Sequence, residues 1–339
     1  MTLKDIADKA GVSMMTVSNV INGKHNRVSA KTIEKVNSII KEYGYVPNLS
    51  ARSLTNKKSN IIGVIISLDE NDSMPNYLEN PYISTMIGTI EYELRQHGYY
   101  AMVHSICNQE DILTLLKHWN VDGIIFLYPY DTKEMKEFLK TTTCPIAMFD
   151  SSLSSSNFIN VSSDDTKGLY LSTKYLIEHG HTHIAFVADY EYNALLTNRF
   201  LGYKQALEEF HIPLRKEYIY SFSPSYEGGV AAGIEIATSK YPITAVVTTA
   251  DICAVGIMEG ARSYGYTIPE DLSIIGYDDL YLCNYTFPKL SSVSQNVTEK
   301  AKIATRLLLE RITFGHKKET AKQTMDVSLI VRDSVVDKT

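Results

Sequence analysis

The sequence predicts an α/β protein with an all-α head and a body of two doubly wound parallel-sheet lobes. Three observations predict it. In residues 1–46, apolar positions recur at helical spacing behind residues suited to helix caps. From Asn60 onward, short apolar strand candidates alternate with helical stretches. Charge divides near the same boundary. Residues 1–58 hold eight Lys and two Arg against two Asp and two Glu, a net of +6, and the remainder carries −12.

The 339 residues are enough for two or three domains with ordinary buried cores. With 44% hydrophobic and 21% charged residues, the composition is that of a globular protein. Cys107, Cys144, Cys253 and Cys283 are widely spaced with no CxxC pair, which argues against a disulfide framework or a cysteine-ligated zinc. No apolar run approaches the roughly 18 residues of a membrane span. The N-terminus MTLKDIADKAG lacks the apolar segment of a secretion signal. A cytoplasmic chain without a membrane partner is therefore expected.

The head reads as three helices. Thr2 and Asp5 suit the start of the first, whose inward positions are Ile6, Ala7 and Ala10. Gly11 ends it. Ser13 suits the cap of a second, short helix with Val17, Val20 and Ile21 on one side and Met14, Met15, Ser18 and Asn19 elsewhere. Ser29 suits the cap of a third, through Ile33, Val36, Ile39 and Ile40, which stops before Pro47. Two short helices joined by a tight turn form a helix-turn-helix arrangement, whose second helix is suited to the DNA major groove. Adjacent exposed methionines suit thymine methyls. A basic head on an acidic body fits a polyanionic partner.

Residues 3–54 are specific enough to compare with a family. The runs Asp5-Ile6-Ala7, Ala10-Gly11-Val12-Ser13, Thr16-Val17-Ser18, Asn22-Gly23, Val28-Ser29, Tyr45-x-Pro47-Asn48 and Ala51-Arg52-Ser53-Leu54 resemble the DNA-binding head of the LacI/GalR (lactose-repressor) family. The resemblance implies base readout by Met14, Met15 and Asn19, with Thr16, Ser18 and Asn22 as phosphate anchors. Many members have arginine where this chain has Asn19, so an adenine-directed amide replaces a guanine-directed guanidinium. Residues 47–59 resemble the family's hinge helix and linker, with Ala51 beside the DNA and Leu54 as the minor-groove wedge. The implied organisation is a DNA-binding domain at 1–46, the hinge at 47–59, and an effector-binding and dimerisation body at 60–339.

In the body, strand candidates are Ile61–Ile66, Tyr100–His104, Gly123–Leu127, Ile146–Phe149, Ile184–Val187, Ala245–Thr248 and Leu272–Ile275. Helical stretches include Ser84–Gln96, Thr166–Glu178, Arg199–Phe210 and Cys253–Ser263. Some 270 residues exceed one comfortable sheet, so two lobes with a cleft at the carboxyl ends of the strands are expected. Asn157–Asp165 and Leu290–Asn296 read as crossovers between lobes, and Asp326–Arg332 as a final strand. No heptads follow, so a tetramerising coiled coil is not expected.

The family resemblance continues through Asn80-Pro81-Tyr82, Arg199-x-x-Gly202-Tyr203 and Ile274-Ile275-Gly276-Tyr277-Asp278-Asp279. It implies a body similar to periplasmic sugar-binding proteins. Recognising a sugar takes multidentate polar groups and an aromatic face. Arg199 and Asp278 fall at the family's effector positions, and Asp251, where many relatives have Asn-Asp for Ala250-Asp251, is a further effector-binding candidate. Asp150, Tyr82, Tyr128 and Phe222 have suitable chemistry near strand ends. Ala250 stands where many relatives have asparagine, which removes one expected hydroxyl contact.

Other readings are weaker. His179-x-His181-x-His183 has the spacing of a strand metal site, yet fits a helix-to-strand turn. Asp164-Asp165 and Asp278-Asp279 are adjacent carboxylates without a partner nucleophile. The phosphate-loop, nucleophile-elbow and HExxH patterns do not occur in the sequence. Neither catalysis nor a cofactor is expected. The resemblance implies a homodimer on a pseudo-palindromic double-stranded DNA operator, controlled by a small-molecule effector such as a sugar, as a repressor of a carbohydrate-utilisation operon. Some relatives add a protein corepressor. The competing expectation is a solute-binding module whose head does not touch DNA.

Overall fold

The computed structural model describes residues 1–21, 23–45, 58–68, 76–107, 120–129, 131–153, 158–315 and 322–339. The chain divides into two compact units, Met1–Asn60 and Ile61–Thr339.

In the first unit, local hydrogen bonds set the helix boundaries. Helix α1 (Leu3–Ala10) opens with a reciprocal cap: the Asp5 amide donates to Thr2 Oγ1 and the Thr2 amide to Asp5 Oδ2, at 3.3 and 2.8 Å. It closes at Gly11, whose φ of 67° is one glycine adopts without strain. Helix α2 (Met14–Ile21) starts where the Thr16 amide donates to Ser13 Oγ. Helix α3 (Ala30–Tyr43) is capped by Ser29 and ends at Gly44. Ile6, Ala7, Ala10, Val17, Val20 and Val36 close a small core among them.

Among its described residues the second unit forms two six-stranded sheets. The first is built from β1 (Ile61–Ser67), β2 (Tyr100–Ile106), β3 (Gly123–Leu127), β4 (Ile146–Phe149), β5 (Ile159–Ser163) and, from late in the chain, β11 (Lys322–Met325). Its order is β11-β5-β4-β3-β1-β2, parallel throughout. Helices α4 (Pro81–Gln96) and α5 (Lys133–Thr141) belong to this lobe. The second sheet is built from β6 (Ile184–Val187), β7 (Ile219–Tyr220), β8 (Ala245–Thr248), β9 (Ser273–Asp278), β10 (Ser291–Ser294) and β12 (Ser328–Ile330). Its order is β12-β10-β9-β8-β6-β7, with only the β10–β12 pair antiparallel. Helices α6 (Asp165–Glu178), α7 (Ala194–Glu209), α8 (Tyr226–Thr238) and α9 (Asp251–Arg262) serve this lobe. Strands buried on both faces explain their unbroken apolar runs, such as IIGVII and GIIFL.

Two expectations are corrected. The two stretches read as crossovers each contain a strand, β5 and β10, before the chain changes lobe. Their sequences, INVSS and SSVS, are serine-rich and look like loops, but Ser163 donates to Gln295 and Ser292 to Asp251 inside the fold. The stretch Asp326–Arg332 does hold the final strand, β12, shorter than the stretch itself. The chain finishes β11 in the first sheet and enters β12 in the second, so there is a third crossover. Helix α10 (Val297–Phe314) follows β10 of the second sheet yet packs on β3, β4, β5 and α4 of the first lobe.

Helices α8 and α9 approach closely enough that a Cβ on Gly229 would strike the Cys253 carbonyl, and one on Gly256 the Tyr226 carbonyl. Backbone cannot yield as a side-chain tip can. Gly256→Ala is expected to destabilise the protein by about 1–3 kcal/mol, seen as a lower urea midpoint at unchanged slope. An unchanged midpoint would show that the helices separate freely.

Candidate functional site

In the head, α2 buries Val17 and Val20 and leaves Met14 52% and Met15 71% exposed. Thr16 and Asn19 are half-buried, and Thr16 Oγ1 shares a 3.0 Å hydrogen bond with Ser13 Oγ. Large apolar side chains left in water at neighbouring positions make a contact surface rather than a core. Ser18 is also half-buried. Asn22, Ala51 and Leu54 lie outside the described residues.

In the second unit, the carboxyl ends of both sheets supply one polar cluster. Tyr128 follows β3, Asp150 follows β4, Ser163 ends β5, Thr249 follows β8 and Asp278 ends β9. Tyr128, Asp150 and Asp278 have φ values of 55°, 50° and 111°. Non-glycine residues in this region are strained by about 1–3 kcal/mol each, and such strain persists where surrounding contacts hold it. Here the turn from each strand aims a side chain into the cluster.

Arg199 comes from α7 and is 5% exposed. Its Nε donates to Asp165 Oδ1 at 2.9 Å and its Nη1 to the Thr249 carbonyl at 2.5 Å. Its guanidinium carbon sits 3.7 Å from the centre of the Tyr277 ring. Tyr277 also donates its hydroxyl to Asp165 Oδ1 at 3.1 Å. Gly168 makes room for that ring, since a Cβ there would overlap it. Burial opposes the Arg199 charge, and the Asp165 carboxylate more than restores it, so the guanidinium stays protonated.

Asp150 and Asp278 are linked through two residues that sequence reasoning did not single out. Lys300, on α10, is fully buried. Its ammonium donates to Asp150 Oδ1 and Oδ2 at 2.7 and 2.5 Å and to Gln295 Oε1 at 2.8 Å. Gln295 Oε1 also accepts from Ser163 Oγ at 2.9 Å, while its Nε2 donates to Asp278 Oδ1 at 2.5 Å. The chain Asp150–Lys300–Gln295–Asp278 therefore runs from the first sheet to the second, through the β10–α10 crossover. Burial pushes the Asp278 carboxyl up to about 7, against the pull of Arg199 and Gln295. Lysine spacing along an amphipathic helix gives no hint of such burial. Gln295 sits in a stretch read as a connection only.

The aromatic rings of Tyr82 and Tyr128 lie 5.9 Å apart, and Tyr82 is within electrostatic range of Asp150, Asp278 and Arg199. Burial raises the Tyr82 phenol, which keeps its proton. The structure thus brings Tyr82, Tyr128, Asp150, Arg199 and Asp278 together. It places Asp251 differently. That side chain is fully buried, with Oδ2 accepting from the Leu280 amide at 2.7 Å and Oδ1 from Ser292 Oγ at 2.5 Å. Both oxygens are engaged within the second lobe, in support of the turn after Asp278. Phe222 packs on the apolar core beneath α8 and α9 and is half-buried.

The three histidines diverge. His181 shares hydrogen bonds with Thr244 Oγ1 and the Val336 carbonyl, each at 3.0 Å, His183 bonds Tyr218 and His179 the Tyr175 carbonyl. Among the described residues no His, Cys, Asp and Glu group has the arrangement of a metal site. No helix of the described residues is long and apolar enough to cross a membrane.

Comparison with known proteins matches residues 2–48 to the family model "Bacterial regulatory proteins, lacI family" and residues 173–335 to "Periplasmic binding protein-like domain". The chain is 34% identical to the HTH-type transcriptional repressor PurR of Vibrio vulnificus, over 98% of each protein. Its fold is similar to the lac repressor dimer bound to operator and the anti-inducer ONPF, with a TM-score of 0.85, 26% identity and 99% of each chain covered. It is also similar to a ribose-bound regulator from Enterococcus faecium, with a TM-score of 0.72, 29% identity, 82% of this chain and 100% of the other.

The buried pair yields a stability prediction. Lys300→Met leaves the Asp150 charge without its cation and is expected to cost about 3–5 kcal/mol in urea unfolding. Adding Asp150→Asn removes the stranded charge and recovers most of that loss. If the single and double variants unfold alike, the pairing carries no weight.

Proposed function

The chain belongs to the lacI family of bacterial regulatory proteins, and from that premise we propose that it represses a carbohydrate-utilisation operon under control of a sugar bound between its lobes. The head reads the operator and the body reads the effector. The observation that carries the DNA half is α2, which turns Met14 and Met15 to solvent while Val17 and Val20 seal the head's core. A solute-binding module has no use for that surface. Asn19 on the same helix reads a base edge, Thr16, Ser18 and Asn22 grip phosphates, and Leu54 with Ala51 engages the minor groove. Work on DNA places the protein in the cytoplasm.

The effector half rests on the cluster at the strand ends. Arg199, Asp278 and Asp150 offer fixed charged hydrogen-bonding groups, and the Tyr82 and Tyr128 rings offer apolar faces. The ribose-bound similar structure fits this chemistry. Effector held between the sheets changes the angle between lobes, and the operator-binding and released states then differ in effector affinity. The coupling is reciprocal, about 1–3 kcal/mol in regulators of this kind.

The operator-bound species is a homodimer. Tyr281, Tyr285 and Phe287 are 73%, 76% and 89% exposed on one short segment of the second lobe. Apolar surface of that density suits cover by a second copy.

Two variants test this reading. Asn19→Ala relaxes preference at one base pair by about 1–3 kcal/mol in an operator selection; an unchanged motif removes Asn19 from the readout. Arg199→Ala keeps operator affinity but abolishes operator release or tightening by sugars in a fluorescence-anisotropy titration. A normal dose response in that variant takes Arg199 out of the site, and a response to purine bases with none to sugars replaces the sugar reading.

A further inference from the structure

We propose that Asp278 is a proton-sensitive joint between the two lobes. Ionised, it holds the first lobe through Gln295, and on taking up a proton it slackens that hold. The joint needs no ligand, so it stands apart from the effector reading.

One amide links the two sheet ends. Asp278 ends β9 of the second lobe, and its Oδ1 accepts from Gln295 Nε2 at 2.5 Å. The oxygen of the same amide accepts from Ser163 Oγ on β5 and from the Lys300 ammonium on α10, both belonging to the first lobe. A charged acceptor binds a donor roughly twice as strongly as a neutral one. The charge on Asp278 therefore decides how firmly the amide is gripped from the second lobe.

That charge is weakly supported. Four buried or nearly buried carboxylates, Asp150, Asp165, Asp251 and Asp278, meet Lys300 and Arg199. Lys300 is committed to both oxygens of Asp150, and Arg199 Nε to Asp165. Asp251 and Asp278 form no ion pair among the described residues. Asp251 accepts from the Leu280 amide and the Ser292 hydroxyl, and Asp278 from the Gln295 amide, all of them neutral donors.

The other charges around Asp278 act through space. Arg199 and Lys300 favour its ionised form, Asp165 opposes it, and Asp251 and Asp278 repel one another. Asp279 is paired with Arg332. Tyr82, Tyr128 and Tyr277 keep their protons because burial raises each phenol, so they add no charge. A buried carboxyl served by neutral donors retains its proton to higher pH than an exposed one. With these cations nearby, the balance for Asp278 falls at about 7.

The test is urea unfolding of the full chain at fixed protein concentration across about pH 5 to 8.5, followed by circular dichroism, for the natural sequence and Asp278→Asn. The folded carboxyl keeps a proton that the unfolded chain releases above its ordinary range. The stability this proton confers is therefore lost as pH rises to about 7. The ratio of folding constants, natural over Asp278→Asn, is expected to fall nearly tenfold per pH unit from about pH 5 to 6.5 and to level above about 8. Histidines titrate in both proteins and cancel in the ratio. A ratio that is flat with pH overturns the proposal.

The link through the amide is read by repeating the comparison in a Gln295→Met background. Losing that donor disfavours the ionised form, so the step moves upward by at least about half a pH unit, a threefold gain in proton affinity. If that background does not fold, Gln295→Asn, whose amide is one carbon shorter, takes its place. A merely structural glutamine would lower stability equally at every pH. A step whose position is unchanged overturns the joint even if Asp278 titrates.

Discussion

An ammonium group with no exposed surface is the constraint around which the body is arranged. Lys300 cannot be buried without acceptors, because an uncompensated charge in the interior costs several kcal/mol. Its acceptors come from the end of a strand in the first sheet and from the crossover leaving the second. Satisfying one side chain therefore fixes the Asp150 turn, the Gln295 amide and the seat of α10 on the first lobe together. Gln295 passes the constraint on. With its oxygen engaged by Lys300 and Ser163, its nitrogen must face Asp278. A polar chain of this kind is strong only while every member is satisfied.

The strained strand ends belong to the same arrangement. Asp tolerates the left-handed region better than most residues, but Tyr128 does not, and a bulky side chain there marks a turn held by its surroundings. Around Asp278 the support is visible. Gly276 leaves room for Asp251, Asp251 holds the Leu280 amide and the Ser292 hydroxyl, and Arg332 pairs with Asp279 at 2.7 Å. Preorganisation of this kind keeps Arg199 and Asp278 in place without a ligand, so less ordering is needed when one arrives.

Much of this was legible in the sequence, for identifiable reasons. Gly123–Leu127, Ile146–Phe149, Ile184–Val187 and Ala245–Thr248 are strands with the bounds their apolar runs suggest, because parallel strands buried on both faces cannot disguise themselves. The caps at Thr2, Ser13 and Ser29 are equally plain, since each is a local bond three residues long. Strands β5 and β10 were hidden by serines that pair with partners far along the chain, such as Ser292 with Asp251. The same distance hid Lys300 and Gln295 from the site. Asp251 shows the reverse: a position suited to a ligand by chemistry and resemblance has both oxygens occupied by its own lobe.

The three crossovers bear on how the chain is made. Neither lobe is a continuous stretch: the first receives α10 and β11 after nearly all of the second has been synthesised, and the second waits for β12. A ribosome delivering this protein from its N-terminus exposes the apolar flank of β3, β4 and β5, which α10 later covers, through well over a hundred residues of further elongation. The head can fold as soon as it emerges, whereas the body completes almost at once near the end. During that interval the half-built sheet is an aggregation hazard, and a chaperone that shields apolar strands would be of most use there.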